Sequence, residues 1–391
     1  MERVRVMQVL ECGGPGGTGN QVAAIVRGLE KSRFETTLVY NVRPGASDEE
    51  FRRFASGADH YVRIPEMTRE ISPAKDLSAW RKLYRLFRES RPDVVHAHSS
   101  KAGVLARTAA LAAGVPRIFY SPRGYAFLQL DRSALSRGFY RMVEASVSWI
   151  GEIAACSESE AALARSLLTP RRVHVVRDAY LGAIIDHEPS DISAPTAYGS
   201  STPNGHASPS NTAPLTVCAA GRLSFPRNPE AFVRLASRLL SARKDVRCLW
   251  IGDGELGQKV RSLAKEYGLN ERFEISGWLT HEEALKRLRS CDVFVHYSRW
   301  EGLPNAVLDA FACGLPVVAS DISGNRNVVR PGENGWIARD EDLLFTRVSE
   351  LLDTPERRAE FGSRGLAMVR SEYSLDSLLS ELSSLYLGPK Q

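Results

Sequence analysis

The chain has 391 residues, 43% hydrophobic and 25% charged, an ordinary globular composition with room for two domains of about 150–200 residues. No run approaches the roughly 18 apolar residues that span a bilayer, and Met1 to Cys12 mixes charges with valines, so a cytoplasmic protein is expected. The net charge of +5 gathers in the first half: residues 1–186 hold 27 Lys and Arg against 20 Asp and Glu, while residues 214–391 balance at 24 against 24. Such a basic half suits an anionic partner, a phosphate-bearing acceptor or an anionic membrane face, and equally a merely solvated basic surface.

In chain order, short apolar runs at residues 4–10, 37–41, 93–98, 117–121, 153–156 and 173–176 read as strands. Helical patterns at 21–31, 77–89, 101–113 and 134–149 separate them. Continuous apolar strands alternating with helices predict a parallel sheet covered on both faces. Residues 187–213 are almost all Pro, Ser, Gly, Ala, Thr, Asn and acids, too polar to offset their own ordering entropy, and read as a linker or a disordered insertion. Strand signals resume at 215–220, 247–251, 273–276, 292–296, 316–320 and 336–338, and a helical tail follows at 375–387.

The expected architecture is therefore α/β, two Rossmann-like doubly wound parallel-sheet domains facing a cleft. A first domain covers 1–186 and a second 214–371; the C-terminal helix at 372–391 could cap either, with a return to the first domain as the expectation. Ligands in such sheets lie beyond the C-terminal strand ends, at topological switch points.

The first strand runs into Glu11-Cys-Gly-Gly-Pro-Gly-Gly-Thr-Gly19. Gly14, Gly16 and Gly19 satisfy the dinucleotide fingerprint G-x-G-x-x-G, but the second strand ends Tyr40-Asn41-Val42-Arg43, without the carboxylate that would hold a ribose. A dinucleotide-dependent oxidoreductase and a plain tight turn both stay open on this segment alone. Near the end of the chain's fourth late strand, Glu301-Gly-Leu-Pro304-Asn opens a helix that carries Asp309, with Pro304 expected in its first turn. Helix-start amides suit a diphosphate and carboxylates suit sugar hydroxyls, although a charged loop with a capping role would look the same. Arg222 and Arg227 follow the first late strand, where fixed cations could neutralise a departing diphosphate.

His96 and His98 fall two apart on one face of a strand without an evident third ligand, and Asp340-Glu-Asp342 opens a late helix, so no metal is read into either. The six cysteines, Cys12, Cys156, Cys218, Cys248, Cys291 and Cys313, form no C-x-x-C pair and read as reduced thiols.

Taken together, G-R-L at 221–223 with Arg227 beyond it, I-G-D-G-E at 251–255, S-G-W at 276–278 and E-G-L-P-N-A-V-L-D-A at 301–310 resemble the retaining family 4 glycosyltransferases. In the first half, His96-Ala-His-Ser-Ser-Lys-Ala-Gly103 and Tyr120-Ser-Pro-Arg-Gly-Tyr-Ala-Phe127 resemble bacterial exopolysaccharide and lipopolysaccharide transferases. The resemblance implies the two-domain GT-B fold and transfer from a nucleotide-diphosphate sugar to a glycan or lipid-linked acceptor. It implies no metal or other cofactor and no nucleic-acid partner, with possible peripheral contact at the inner membrane face.

It further implies that Glu301 contacts donor hydroxyls, Asp309 holds the ribose where relatives usually have Glu, and Arg222 and Arg227 clamp the diphosphate. Gly302, Leu303, Pro304 and Asn305 would line the donor site, Gly16 and Gly17 would approach it from the opposite wall, and the backbone at Trp278 would meet the base. His98, Ser99, Lys101 and Arg123 would face the acceptor. Many relatives carry His where this chain has Arg123, which cannot act as a base; a catalytically silent sugar-nucleotide-binding subunit is the rival that this departure motivates.

Overall fold

Apolar runs become strands buried on both faces, and the amphipathic stretches between them become their covering helices. The computed structural model describes residues 2–14, 17–43, 47–68, 70–128, 133–169, 172–182 and 214–388. Its contacts divide the chain into one unit of residues 1–181 with 373–391 and a second of residues 182–372. The expected linker at 187–213 and Gly16 lie outside the described residues.

The first unit runs β1 (Val4–Gly13), α1 (Gly17–Gly28), β2 (Phe34–Val42), α2 (Asp48–Phe54), β3 (His60–Arg63), α3 (Pro73–Ser90) and β4 (Val94–His98). It continues through α4 (Ser100–Ala113), β5 (Arg117–Ser121), α5 (Ala134–Val147), β6 (Glu152–Ala155), α6 (Glu158–Leu167) and β7 (Val173–Val175). Its seven strands are parallel, in the order β3-β2-β1-β4-β5-β6-β7. The core packs Val9, Val39, Val95 and Tyr120 of the strands against Leu83 and Phe87 of α3 and the alanines of α4.

The second unit runs β8 (Leu215–Ala220), α7 (Pro229–Ala242), β9 (Val246–Ile251), α8 (Gly257–Glu266), β10 (Phe273–Ile275), α9 (His281–Leu288) and β11 (Val293–His296). Then come α10 (Asn305–Ala312), β12 (Val317–Ser320), α11 (Ser323–Arg326), β13 (Gly335–Ala338), α12 (Glu341–Asp353) and α13 (Pro355–Glu372). The sheet order is β10-β9-β8-β11-β12-β13, again parallel. Both orders reverse direction beside the unit's first strand, between β1 and β4 and between β8 and β11, which is the Rossmann switch point.

The last helix, α14 (Leu375–Leu387), packs on the first unit. Its Tyr386 is fully buried, edge-on to Phe34 and His96 and tilted against Phe119. Local chemistry sets the helix starts. Thr280 and Glu283 form a capping box on α9, and the Asp340 carboxylate accepts from the Leu343 amide at 2.8 Å, so the acidic triplet caps α12.

Candidate active site

In the second unit the site begins at paired strand ends. Phe294 lies opposite Cys218, so β8 and β11 finish side by side and release Gly221–Arg227 and Tyr297–Glu301 from the switch point. Arg227 ends a 3-10 turn, Phe225–Arg227, and its Nη1 donates to the Glu301 carboxylate. The same guanidinium lies 3.3 Å from His296 Nε2, which also meets Ser298 Oγ at 3.1 Å and stands 3.5 Å from Glu301. Burial lowers the His296 pKa, only partly opposed by Glu301, and keeps the ring neutral at pH 7. Burial alone would raise the Glu301 carboxyl, but the His296 hydrogen bond and the Arg227 charge together hold it below its ordinary range.

A scaffold of buried amides and hydroxyls fixes this trio. Asn325, fully buried, donates to Ser320 O at 3.0 Å and Ser320 Oγ at 3.1 Å, and Ser320 Oγ donates to Ser298 O at 2.6 Å. Gly324 sits where a Cβ would fall 2.6 Å from the Glu301 carbonyl, so α11 can approach the Glu301 loop only as glycine.

Past Glu301, Gly302 and Leu303 lead to Pro304, which is the N-cap of α10 rather than a first-turn residue. No side chain caps this helix and no acid stands in its first turn; the Asn305 and Val307 amides turn back to the Leu303 and Pro304 carbonyls at 3.0 and 2.9 Å, so the helix start offers an anion chiefly the positive end of its dipole. Asp309 lies inside α10, 3.0 Å from His281 Nε2. Arg222 does not join Glu301: it pairs with Glu255 at 2.7 Å, both exposed. Trp278 is 68% exposed, on a loop tied back through the Gly252 amide to Ser276 Oγ at 3.0 Å.

In the first unit, Leu10 pairs with His98, so the turns after β1 and β4 meet at that switch point. Ser99 donates to the buried Glu11 carboxylate across the junction. Gly17 begins α1, and Gly19 is held so close to Gly14 that a Cβ would stand 2.1 Å from its carbonyl. Four described non-glycine residues adopt positive φ. Arg91 ends a helix and Asn228 follows Arg227, while Ser99 (φ 69°) and Arg123 (φ 52°) sit just beyond β4 and β5, the kind of backbone strain that gathers at functional sites.

Arg123 is nearly buried and donates to Asp178. Burial pushes the Asp178 carboxyl up, partly offset by Arg123. Behind them runs a chain of hydrogen bonds whose direction is set at every link, because Arg123 can only donate. Arg123 Nε donates to His98 Nδ1 at 3.4 Å, leaving His98 Nε2–H for Gln8 Oε1 at 2.7 Å. Gln8 Nε2 donates to Tyr386 Oη at 3.0 Å, the hydroxyl donates to His96 Nδ1 at 2.6 Å, and His96 Nε2–H reaches Ser121 Oγ at 2.9 Å. Ser121 closes the chain on the Ala154 carbonyl at 2.8 Å. Burial lowers both histidines, His96 to about 3, so both stay neutral.

On the acceptor side a further expectation changes. His98 is fully buried and spends its ring on Gln8 and Arg123, so it supports Arg123 instead of touching an acceptor directly. Lys101 is also engaged, with Asp76 Oδ1 at 2.6 Å. His296, Ser298 and Asn325 escaped sequence reading, as did Gln8, Asp178 and Tyr386. Only His296, at a strand end beside the Glu301 loop, carried a local signal. Among the described residues no cluster of three His, Cys, Asp or Glu is placed to hold a metal. Near the end of β2, Asn41 donates to the Pro65 and Met67 carbonyls, and the strand end itself carries no carboxylate for a dinucleotide ribose.

Two parallel-sheet units of Rossmann order, each with its switch point beside its first strand, give the chain the GT-B architecture. Residues 16–179 match the glycosyl transferase 4-like domain and residues 204–368 the glycosyl transferases group 1 domain, so the chain belongs to this family of glycosyltransferases.

Among its relatives is the UDP-Gal:alpha-D-GlcNAc-diphosphoundecaprenol alpha-1,3-galactosyltransferase of Escherichia coli, 28% identical over 286 residues, 72% of this chain and 71% of that protein. A GDP-mannose-dependent monoacylated alpha-(1-6)-phosphatidylinositol monomannoside mannosyltransferase of Corynebacterium glutamicum is 30% identical over 184 residues, 45% of this chain and 47% of that one. The crystal structure of Anabaena HepE in complex with UDP superposes with a TM-score of 0.75 at 15% identity, covering 98% of this chain and 99% of that one. The lipopolysaccharide outer core galactosyltransferase WaaB gives 0.72 at 16% identity, covering 98% and 100%. At such identity these two likenesses speak for the fold.

Proposed function

We propose that the chain is a retaining, metal-independent hexosyltransferase that moves a sugar from a nucleoside diphosphate to a lipid-linked or polysaccharide intermediate of bacterial cell-surface glycan synthesis. The observation that carries the reading is the Arg227–Glu301–His296 cluster beside the uncapped start of α10. Arg227, joined by Arg222 once it leaves Glu255, stabilises the charge growing on the departing diphosphate, together with the positive end of the α10 dipole. Glu301 stays ionised and takes sugar hydroxyls, while Asp309 takes the ribose. Arg123, with its charge balanced by Asp178, and Ser99 face the acceptor.

Glu301 is already committed to Arg227 and His296, and Arg123 cannot accept a proton. The acceptor proton therefore passes to the leaving phosphate oxygen as the bond from the anomeric carbon to phosphate breaks and the bond to the acceptor oxygen forms on the same face. A lipid-linked acceptor is supported by the Escherichia coli relative, whose name specifies a diphosphoundecaprenol substrate.

Peripheral contact with the anionic inner face of the cell membrane fits α5. Leu135, 88% exposed, Phe139 and Met142 stand at i, i+4 and i+7 beside Arg137 and Arg141. No described helix is long and apolar enough to cross a membrane.

The reading is tested by incubating purified protein with a panel of sugar nucleotides and polyprenyl-diphosphate-linked sugars, then reading the anomeric configuration of the product by NMR. Retention of the donor's configuration is expected; inversion, or transfer that requires added divalent cation, contradicts it.

A further inference from the structure

At the opposite end of the first unit's sheet lies a cavity of about 340 Å³, within the range of small-ligand sites. Arg117 opens β5 and Glu152 opens β6, so the cavity sits under the N-terminal strand ends, about 13 Å along β5 from the Ser121 end that faces the proposed acceptor site. Its walls are largely apolar, from Leu111, Val115, Phe119, Trp149 and Leu385.

Against them stands one buried cation. Arg117 is 9% exposed, its Nη1 donates to the Tyr386 carbonyl in the last turn of α14, and its Nε has no partner. No described carboxylate lies within ion-pair distance of it: Glu152, the acid on the cavity wall, is held by His174. The end of a helix dipole supplies about half a charge, which leaves a buried guanidinium short of a counter-ion. Arg172, exposed at the same cavity, adds a second cation. Leu111 and Trp149, both exposed, form an apolar rim.

We propose that this cavity is a second ligand site, separate from donor and acceptor, for a small anionic amphiphile: one carboxylate or phosphate carried on an apolar body. The headgroup pairs with Arg117 and the body lies on Trp149, Phe119 and Leu385. Neither half suffices, because the anion needs the desolvated cation and the apolar body needs the walls.

Calorimetric titration of the whole chain with octanoate, acetate and octanol tests it. Octanoate should bind at one site per chain, with acetate and octanol each at least about tenfold weaker. A saturating nucleoside diphosphate should leave octanoate affinity unchanged. Leu111→Glu and Trp149→Ala, on the exposed rim, should each weaken octanoate at least about tenfold without lowering the melting temperature materially. Arg117→Met should do the same; because that side chain also holds α14, the rim variants carry the test if it unfolds.

Equal binding of octanol and octanoate, displacement by the nucleotide, or unchanged affinity in both rim variants would overturn the site. Sedimentation with anionic phospholipid vesicles separates the sources. Loss of vesicle binding in Leu111→Glu assigns the site to a lipid headgroup; vesicle binding that persists while octanoate is lost assigns it to a soluble amphiphile.

Discussion

Arg227 and Glu301 form the partly buried ion pair on which the proposed donor site rests. The guanidinium is preoriented by His296 and Glu301, so the proposed binding of a diphosphate would need little reorganisation. Arg227→Ala and Glu301→Ala should each lower kcat/KM by at least about a hundredfold, a loss of several kcal/mol at the transition state. Arg222 stands in water against Glu255, and Arg222→Ala should cost only about tenfold. Steady-state assays on the three variants check both figures; equal losses for the two arginines would count against the division of roles.

Tyr386 is the residue-scale test of the buried chain. Tyr386→Phe keeps the ring but strands Gln8 Nε2 and His96 Nδ1, and denaturant melts should show a loss of about 1–3 kcal/mol.

Among the elements, α4 and α5 are joined by a fully buried ion pair, Arg107 with Glu144, and Arg107 stacks on the Tyr120 ring at 4.0 Å. Removing one partner leaves the other charge buried alone. Arg107→Ala or Glu144→Ala should therefore destabilise by about 3–5 kcal/mol, and Arg107→Met with Glu144→Leu by clearly less. A thermal-melt comparison in which the double variant is the least stable would refute this. Gly103 is what lets α4 reach β5, since a Cβ there would fall 2.3 Å from the rigid Tyr120 ring.

The elements were legible from sequence to the extent that burial is two-sided. A strand such as β12 appears as a nearly unbroken apolar run because helices cover both faces. β3, His60–Arg63, gave no such signal because it is a half-exposed edge strand. The return of α14 to the first unit was an expectation that its apolar stripe alone could not supply, since such a stripe announces burial without saying in which core. At the site, Glu301, Arg227 and Asp309 were legible because each belongs to a local motif. Asn325, Ser320 and Tyr386 were not, because they act through contacts that only the folded chain creates.

At the scale of the molecule, buried neutral histidines tie stability to pH. His96, His98 and His296 all have lowered values in the fold, His96 about 3 against 6.5 unfolded. Below pH 6.5 the unfolded chain takes up protons that the folded chain refuses, so stability is full above that pH and falls as pH drops toward the folded values. Each such histidine contributes about 1.4 kcal/mol per pH unit in that window. Melting temperature should fall between pH 7 and 5, and His98→Gln should flatten the slope; an unchanged slope would speak against neutral burial.

The proposed reception of a nucleoside diphosphate by Arg227 at the start of α10 can be measured without knowing the acceptor. Calorimetric titration of UDP, GDP, ADP and TDP into the wild-type chain and Arg227→Ala is the most direct test. At least one nucleotide should bind the wild type and bind the variant at least about tenfold more weakly, as expected for loss of one charge-assisted contact. Equal affinity in both proteins, or no binding of any of the four to the wild type, would contradict it.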